Sequence, residues 1–199
     1  MKKLFMIAVA VFMVTMGANA QDMFIKPMVG GTLATITGDN TDNSKMKLGL
    51  VAGAEFGYHV AEPFAITAGA LVSMQGCGVK DHDGYTDGSF TTTYLNIPVL
   101  ANYYVAPGLA LKAGLQPGFL LSLKSKYTFN GHEHESTDKE GYNKFDLSIP
   151  LGLSYEFSDF VIDARYNLGL TNLLKSEGNH DYKQKNSVIM LTVGYKIPF

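Results

Sequence analysis

The stretch LGLVAGAEFGYHV, Leu48 to Val60, decides the fold, because every second residue in it is apolar. Leu48, Leu50, Ala52, Ala54, Phe56 and Tyr58 form one set, and Gly49, Val51, Gly53, Glu55, Gly57 and His59 form the other. A period of two belongs to an extended strand with two unlike faces. The question is which face meets water.

The pattern recurs along the chain. FAITAGALVSMQG (Phe64–Gly76), YLNIPVLANYYV (Tyr94–Val105), LALKAGLQPGFLLS (Leu109–Ser122), FDLSIPLGLSYEF (Phe145–Phe157), FVIDARYNLGLTN (Phe160–Asn172) and SVIMLTVGYKIPF (Ser187–Phe199) repeat it. With a less regular opening segment, MFIKPMVGGTLATI from Met23 to Ile36, this predicts eight strands and an all-β chain. The links alternate in length. Ala61–Pro63, Ala106–Gly108 and Ser158–Asp159 are tight and carry turn residues, whereas Thr37–Met46, Cys77–Thr91, Leu123–Lys144 and Leu174–Asn186 are long and polar. An up-and-down meander then has all short turns at one end and all long loops at the other.

The N-terminus MKKLFMIAVAVFMVTMGANAQ has two lysines, an apolar run and an Ala18-Asn19-Ala20 cleavage pattern, the layout of an export signal. Residues 1–20 are therefore read as a signal peptide, and residues 21–199 as one barrel domain. Removing two of the 16 Lys and Arg leaves 14 against 18 acidic residues, too mild an imbalance for a nucleic-acid partner. The single cysteine, Cys77, excludes an intramolecular disulfide framework.

A soluble barrel keeps its apolar face inside, and a transmembrane barrel turns that face to lipid. Three features favour the second. The strands reach about 12 residues, more than the ~9–11 needed to cross a bilayer at a tilt. Aromatics collect at the short-turn end: Phe56, Tyr58, Phe64, Tyr103, Tyr104, Tyr155, Phe157, Phe160, Tyr195 and Phe199. The polar face is glycine-rich with few charges, which suits a narrow lumen better than a water-exposed surface. The reading is an eight-stranded antiparallel up-and-down transmembrane β-barrel. Its edges must close, because unpaired backbone groups in hydrocarbon are costly.

These segments resemble the PorT-like outer-membrane β-barrel proteins of Bacteroidetes-type bacteria, eight-stranded barrels of the OmpA and OmpX kind. The likeness rests on LGLVAGAEFGYHV, on TTYLNIPVLANYYV with its Y-L-x-I-P core, on LKAGLQPGFLLS and on the terminal VGYKIPF. It spans most of residues 23–199. The resemblance implies a cell outer-membrane location in a Gram-negative envelope and no single shared activity, although some members serve protein secretion or gliding. It also implies an acidic residue in many members where this chain has Asn96. Tyr195, Ile197 and Phe199 resemble the C-terminal signal read by the barrel assembly machinery.

The expected lumen polar network is Glu55, Lys112, Gln116, Asp146, Glu156, Asp163 and Arg165, with Lys47 and Lys196 as further candidates. It reads as a plug, and a narrow ion-conducting path is the alternative. In NGHEHESTDKEG, His132 and His134 are weak candidates for zinc or copper, with His82 and His180 on other loops. No metal or cofactor is expected. Ser122, Ser125, Ser136 and Ser176 lie near the loops without a nucleophile-elbow pattern, so catalysis is not expected. Tyr85, Phe90, Tyr127, Phe129 and Tyr142 offer contact surface for an extracellular or secretion-complex partner. Lipid and lipopolysaccharide are the expected surroundings. The functional expectation is membrane structure or loop-mediated binding.

Overall fold

The computed structural model describes residues 23–39, 41, 44–79, 85–129, 132–137, 141–175 and 183–199; within the described strands, nothing is stated of the side chains at 79, 85–87, 127–129 and 132–134. The signal segment and His82 and His180 lie outside these residues. The strands are β1 (Met23–Gly38), β2 (Ser44–Ala61), β3 (Phe64–Val79), β4 (Tyr85–Asn96), β5 (Val99–Ala106) and β6 (Leu109–Phe129). They continue with β7 (His132–Ser136), β8 (Phe145–Phe157), β9 (Phe160–Gly169), β10 (Gln184–Tyr195) and β11 (Ile197–Pro198).

All ladders are antiparallel, and β1 pairs with β10 as well as β2, so the sheet closes into a ring. Eight staves build it. β4 and β5 form one stave interrupted at Ile97–Pro98, where proline lacks an amide donor. The break stays stitched: Ile97 N donates to Pro117 O at 2.8 Å, and Gly69 N to Pro98 O at 3.0 Å. β10 and β11 likewise form one stave, and β7 is a hairpin partner of β6. Closure leaves no bare edge in the membrane band.

All four long links are partly strand, contrary to the sequence reading, and the second and third are so over the longest stretches. β4 begins at Tyr85, and β6 runs on to Phe129 before folding back as β7. The 21 residues of β6 reach about 70 Å, so its distal part projects well beyond a bilayer.

The alternation sorts outward from inward along every stave. Leu48, Leu50, Leu115, Leu151, Leu153, Ile162 and Leu191 are exposed, while Glu55, Leu71, Ala110 and Ser73 are buried. From Phe64 to Met74, Leu109 to Leu121, Phe145 to Phe157 and Phe160 to Leu170, no outward position carries a charge. Exposure of 78 % at Leu48 and 70 % at Phe157 leaves water or lipid as their neighbour, and only lipid favours such a surface.

Exposed Phe64, Tyr103, Tyr155, Phe157, Phe160, Tyr195 and Phe199 ring the short-turn end. Tyr104 does not belong to this girdle: its ring faces inward, as its place in the alternation requires, and its hydroxyl donates to Glu156 Oε1 at 2.6 Å. A second aromatic level lies higher, where Phe119 pairs with Phe145 and their rings stand 5.8 Å apart. Leu109 pairs with Tyr155, so ten residues of β6 separate the two levels. At about 3.3 Å per residue and about 40° tilt that is about 25 Å, the height of an outer-membrane apolar band.

Candidate functional site

The interior is the one place where charge collects in the membrane band, and glycine makes room for it. A Cβ at Gly152 would lie 3.0 Å from Arg165 Cγ, one at Gly194 2.9 Å from Lys26 Cγ, and one at Gly69 2.6 Å from Glu55 Cγ. Each long charged side chain therefore lies across a bare stretch of neighbouring backbone. Near the short turns Phe24 does the same over Gly57.

Five buried charges meet at the centre. Arg165 on β9 donates from Nη1 to Glu55 Oε1 at 2.5 Å, and from Nε and Nη2 to the Asp163 carboxylate at 2.6 and 2.8 Å. Lys112 on β6 reaches Asp163 Oδ2 at 2.5 Å. Lys26 on β1 lies 2.9 Å from Glu55 Oε2 and 3.7 Å from Asp163 Oδ2. Three cations and two anions thus cross-brace four staves, β1, β2, β6 and β9. Unpaired charge in so dry a setting is costly, and the bidentate guanidinium is the geometry that offsets it best.

The sequence reading missed Lys26. Its signal was present: Ile25, Pro27 and Val29 face outward, so Lys26 shares the inward phase of Phe24 and Met28. Proline and Gly30-Gly31 blurred that alternation.

The expected polar residues do not form one network. Glu55, Lys112, Asp163 and Arg165 share the central cluster. Glu156 lies nearer the short turns, pairing with Lys196 at 2.7 Å, while the Lys196 ammonium stands 4.5 Å from the Phe24 ring centroid. Gln116 bonds Ser148 at 3.3 Å. Asp146 lies toward the loops, accepting from Thr171 at 2.5 Å and Asn186 at 3.1 Å. These groups are apart because their residues pair at different heights: Lys112 is opposite Gly152, Asp146 opposite Gly118. A buried apolar layer of Met28, Val51, Leu71 and Met190 also occupies the lumen. Asn96 donates to Ser73 Oγ at 2.8 Å, so a neutral amide serves there. Lys47 is half-buried and bonds the Thr91 hydroxyl.

At the loop end the interior is capped by Cys77, Phe90, Tyr94, Leu120 and Leu123, with Ile36 and Tyr142 against them. Phe90 stacks on Tyr142 at 5.1 Å. Phe90 is therefore part of the cap and not the recognition surface expected of it, because it is buried over the lumen mouth, and the half-buried Tyr142 packs against it. Burial also pushes the Tyr142 phenol up from its ordinary value.

His132 and His134 lie on β7, opposite Phe129 and Tyr127 in the backbone register. Among the described residues no cluster of three metal-ligating side chains converges. At the other end Tyr195 Oη donates to Asp159 at 3.2 Å, Ile197 pairs with Ile25, and Phe199 N donates to Met23 O at 3.1 Å.

Residues 12–175 match the family described as outer membrane protein beta-barrel domain. Among solved structures, the chain is similar to Ail, the attachment invasion locus protein of Yersinia pestis, solved with the heparin analogue sucrose octasulfate. The identity is 17 %, the TM-score 0.54, and the match covers 88 % of this chain and 99 % of Ail. Neisserial surface protein A is similar at 10 % identity and TM-score 0.53, over 88 % of this chain and 97 % of that one. At these identities the likeness establishes the fold. No curated protein matches the sequence.

Proposed function

The chain belongs to the outer membrane protein beta-barrel domain family and is an outer-membrane barrel, and from that premise we propose that it works as a plugged barrel without catalysis. Its role is membrane structure or binding through the long connections. The central cluster of Lys26, Glu55, Lys112, Asp163 and Arg165 carries the reading. An eight-stranded lumen is just wide enough for side chains, and this one is crossed by ion pairs from four staves beneath an apolar layer.

Refolded protein in planar bilayers tests it. The reading expects no steady conductance from the native protein, and steady single-channel steps would overturn it. The alternative of a narrow ion path draws on specific atoms: Ser154 Oγ, Thr192 Oγ1 and both amide atoms of Asn167 are buried without a hydrogen-bond partner. Polar atoms of that kind are where water enters an interior.

Loop-mediated binding has a parallel in Ail, whose structure holds a heparin analogue. The finer placement among PorT-like proteins, with a part in a secretion or gliding apparatus, rests on the Y-L-x-I-P core and the terminal VGYKIPF. Gentle pull-down from outer-membrane fractions tests it, and recovery of the barrel alone would count against it. Export by residues 1–20 and recognition of Tyr195, Ile197 and Phe199 by the assembly machinery belong to the same proposal.

A further inference from the structure

The central cluster is out of balance in two respects at once. Lys26, Lys112 and Arg165 face Glu55 and Asp163, three positive charges against two negative, on side chains at most 4 % exposed. Among the described residues nothing nearby cancels the surplus. Glu156 and Lys196 neutralise each other nearer the short turns. Asp146 stands too high, because six residues of β6 separate Lys112 from Gly118, the register partner of Asp146, about 20 Å along the strand.

Donors are left over in the same place. Arg165 uses three of its five N–H groups on Glu55 and Asp163, and Lys112 one of its three on Asp163. Ser154 on β8 and Thr192 on β10 lie directly opposite Asp163, and their hydroxyls have no hydrogen-bond partner among the described residues. Asn167 follows Arg165 by two residues on β9 and so shares its inward face. Its amide is unpartnered too, and its register neighbours Pro150 and Val188 offer it no polar side chain. None of these three residues is more than 2 % exposed.

We propose that a single halide ion, chloride in salt solution, is the sixth charged member of the cluster, held by the unused N–H groups of Arg165 and by the Asn167 amide. Water answers the leftover donors but not the leftover charge, and a monovalent anion answers both. Asn167 fixes the place better than Ser154 or Thr192, because those hydroxyls adjoin the Asp163 carboxylate, which repels an anion. A polyatomic oxyanion is too large for a lumen just wide enough for side chains, whereas a halide is a single atom. The inference rests on the reading of the cluster as a buried plug, which an ion from solution then completes.

Urea unfolding of the refolded barrel in phospholipid micelles, with sodium gluconate exchanged for sodium chloride at constant ionic strength, tests it. The unfolding equilibrium constant of the native barrel should fall about tenfold between about 1 and about 100 mM chloride, the linkage expected of a site half-filled at about 10 mM. Lys26→Met leaves two charges against two, and Asn167→Asp brings its own carboxylate. Each should respond less than about twofold over that range, and either suffices if the other fails to fold. Crystals of the native barrel grown in bromide should show anomalous scattering from an ion beside Arg165 and Asn167. No chloride response, an equal response in native and variant barrels, or bromide on the outer surface alone overturns the proposal. Steady single-channel conductance with the chloride response intact would overturn the plug and not the halide.

Discussion

Removing the carboxylate of Glu55 and removing the ammonium of Lys26 should have very different consequences, although the two groups are partners 2.9 Å apart. The native cluster holds three cations and two anions. Lys26→Met leaves Lys112 and Arg165 against Glu55 and Asp163, two against two, with the hydrogen bonds of Arg165 and Lys112 intact. The methionine keeps most of the stem that lies across Gly194. Its expected cost is under about 1 kcal/mol, because removing the third cation leaves no uncompensated buried charge, and it is that stranded charge that makes breaking a buried pair costly. Glu55→Gln leaves three cations on one carboxylate, and stranding buried charge costs about 3–5 kcal/mol. Urea unfolding of the refolded barrel in phospholipid micelles, followed by far-ultraviolet circular dichroism because the chain lacks tryptophan, measures both. Equal losses for the two variants, or a loss below about 1 kcal/mol for Glu55→Gln, would refute the charge count as the basis of the plug.

Other consequences are direct. Gly57→Val sets a Cβ 2.1 Å from Phe24 Cζ, so it should cost about 1–3 kcal/mol by overpacking in the same assay, more than Gly141→Val in a connection where nothing lies within 4 Å. Leu115→Lys, midway between the two aromatic levels on the outer face, should destabilise the barrel in bilayers by about 2–4 kcal/mol, where a water-facing leucine would tolerate the change. Cys77, buried in the cap, should react with a maleimide only after unfolding, and rapid labelling of the folded barrel would show the cap open. Deleting Phe199 removes its amide bond to Met23 and its ring contact with Phe56 at 6.0 Å, and should slow assembly into outer membranes more than it lowers stability in micelles.

The eight staves were legible because lipid on one side and a filled lumen on the other impose two chemistries on alternate residues. Phe145–Phe157 shows this most cleanly, with seven apolar residues interleaved with Asp146, Ser148, Pro150, Gly152, Ser154 and Glu156. Above the membrane that constraint ends. Tyr85–Thr91 and Leu123–Phe129 are strand because their backbones pair, not because one face is greasy, so their sequences read as loop. The internal apolar layer was obscured for the opposite reason: Val51 and Leu71 sit in the inward phase among glycines and polar residues, where a single apolar residue looks like noise. Alternation also gives phase without height, so it placed Glu55, Asp146 and Glu156 inside but not in three separate groups. Height follows from register, and register comes only from pairing.

The measurement that bears most directly on the inside-out arrangement is spin-label accessibility at Leu111, Ala113, Leu115, Leu151 and Leu153, one cysteine at a time, in a Cys77→Ser background in lipid bilayers. These positions face outward between the aromatic levels. The account predicts strong relaxation by oxygen, weak relaxation by an aqueous nickel chelate, and the greatest contrast near Leu115. Strong relaxation by the nickel chelate at all five would place this face in water and contradict it.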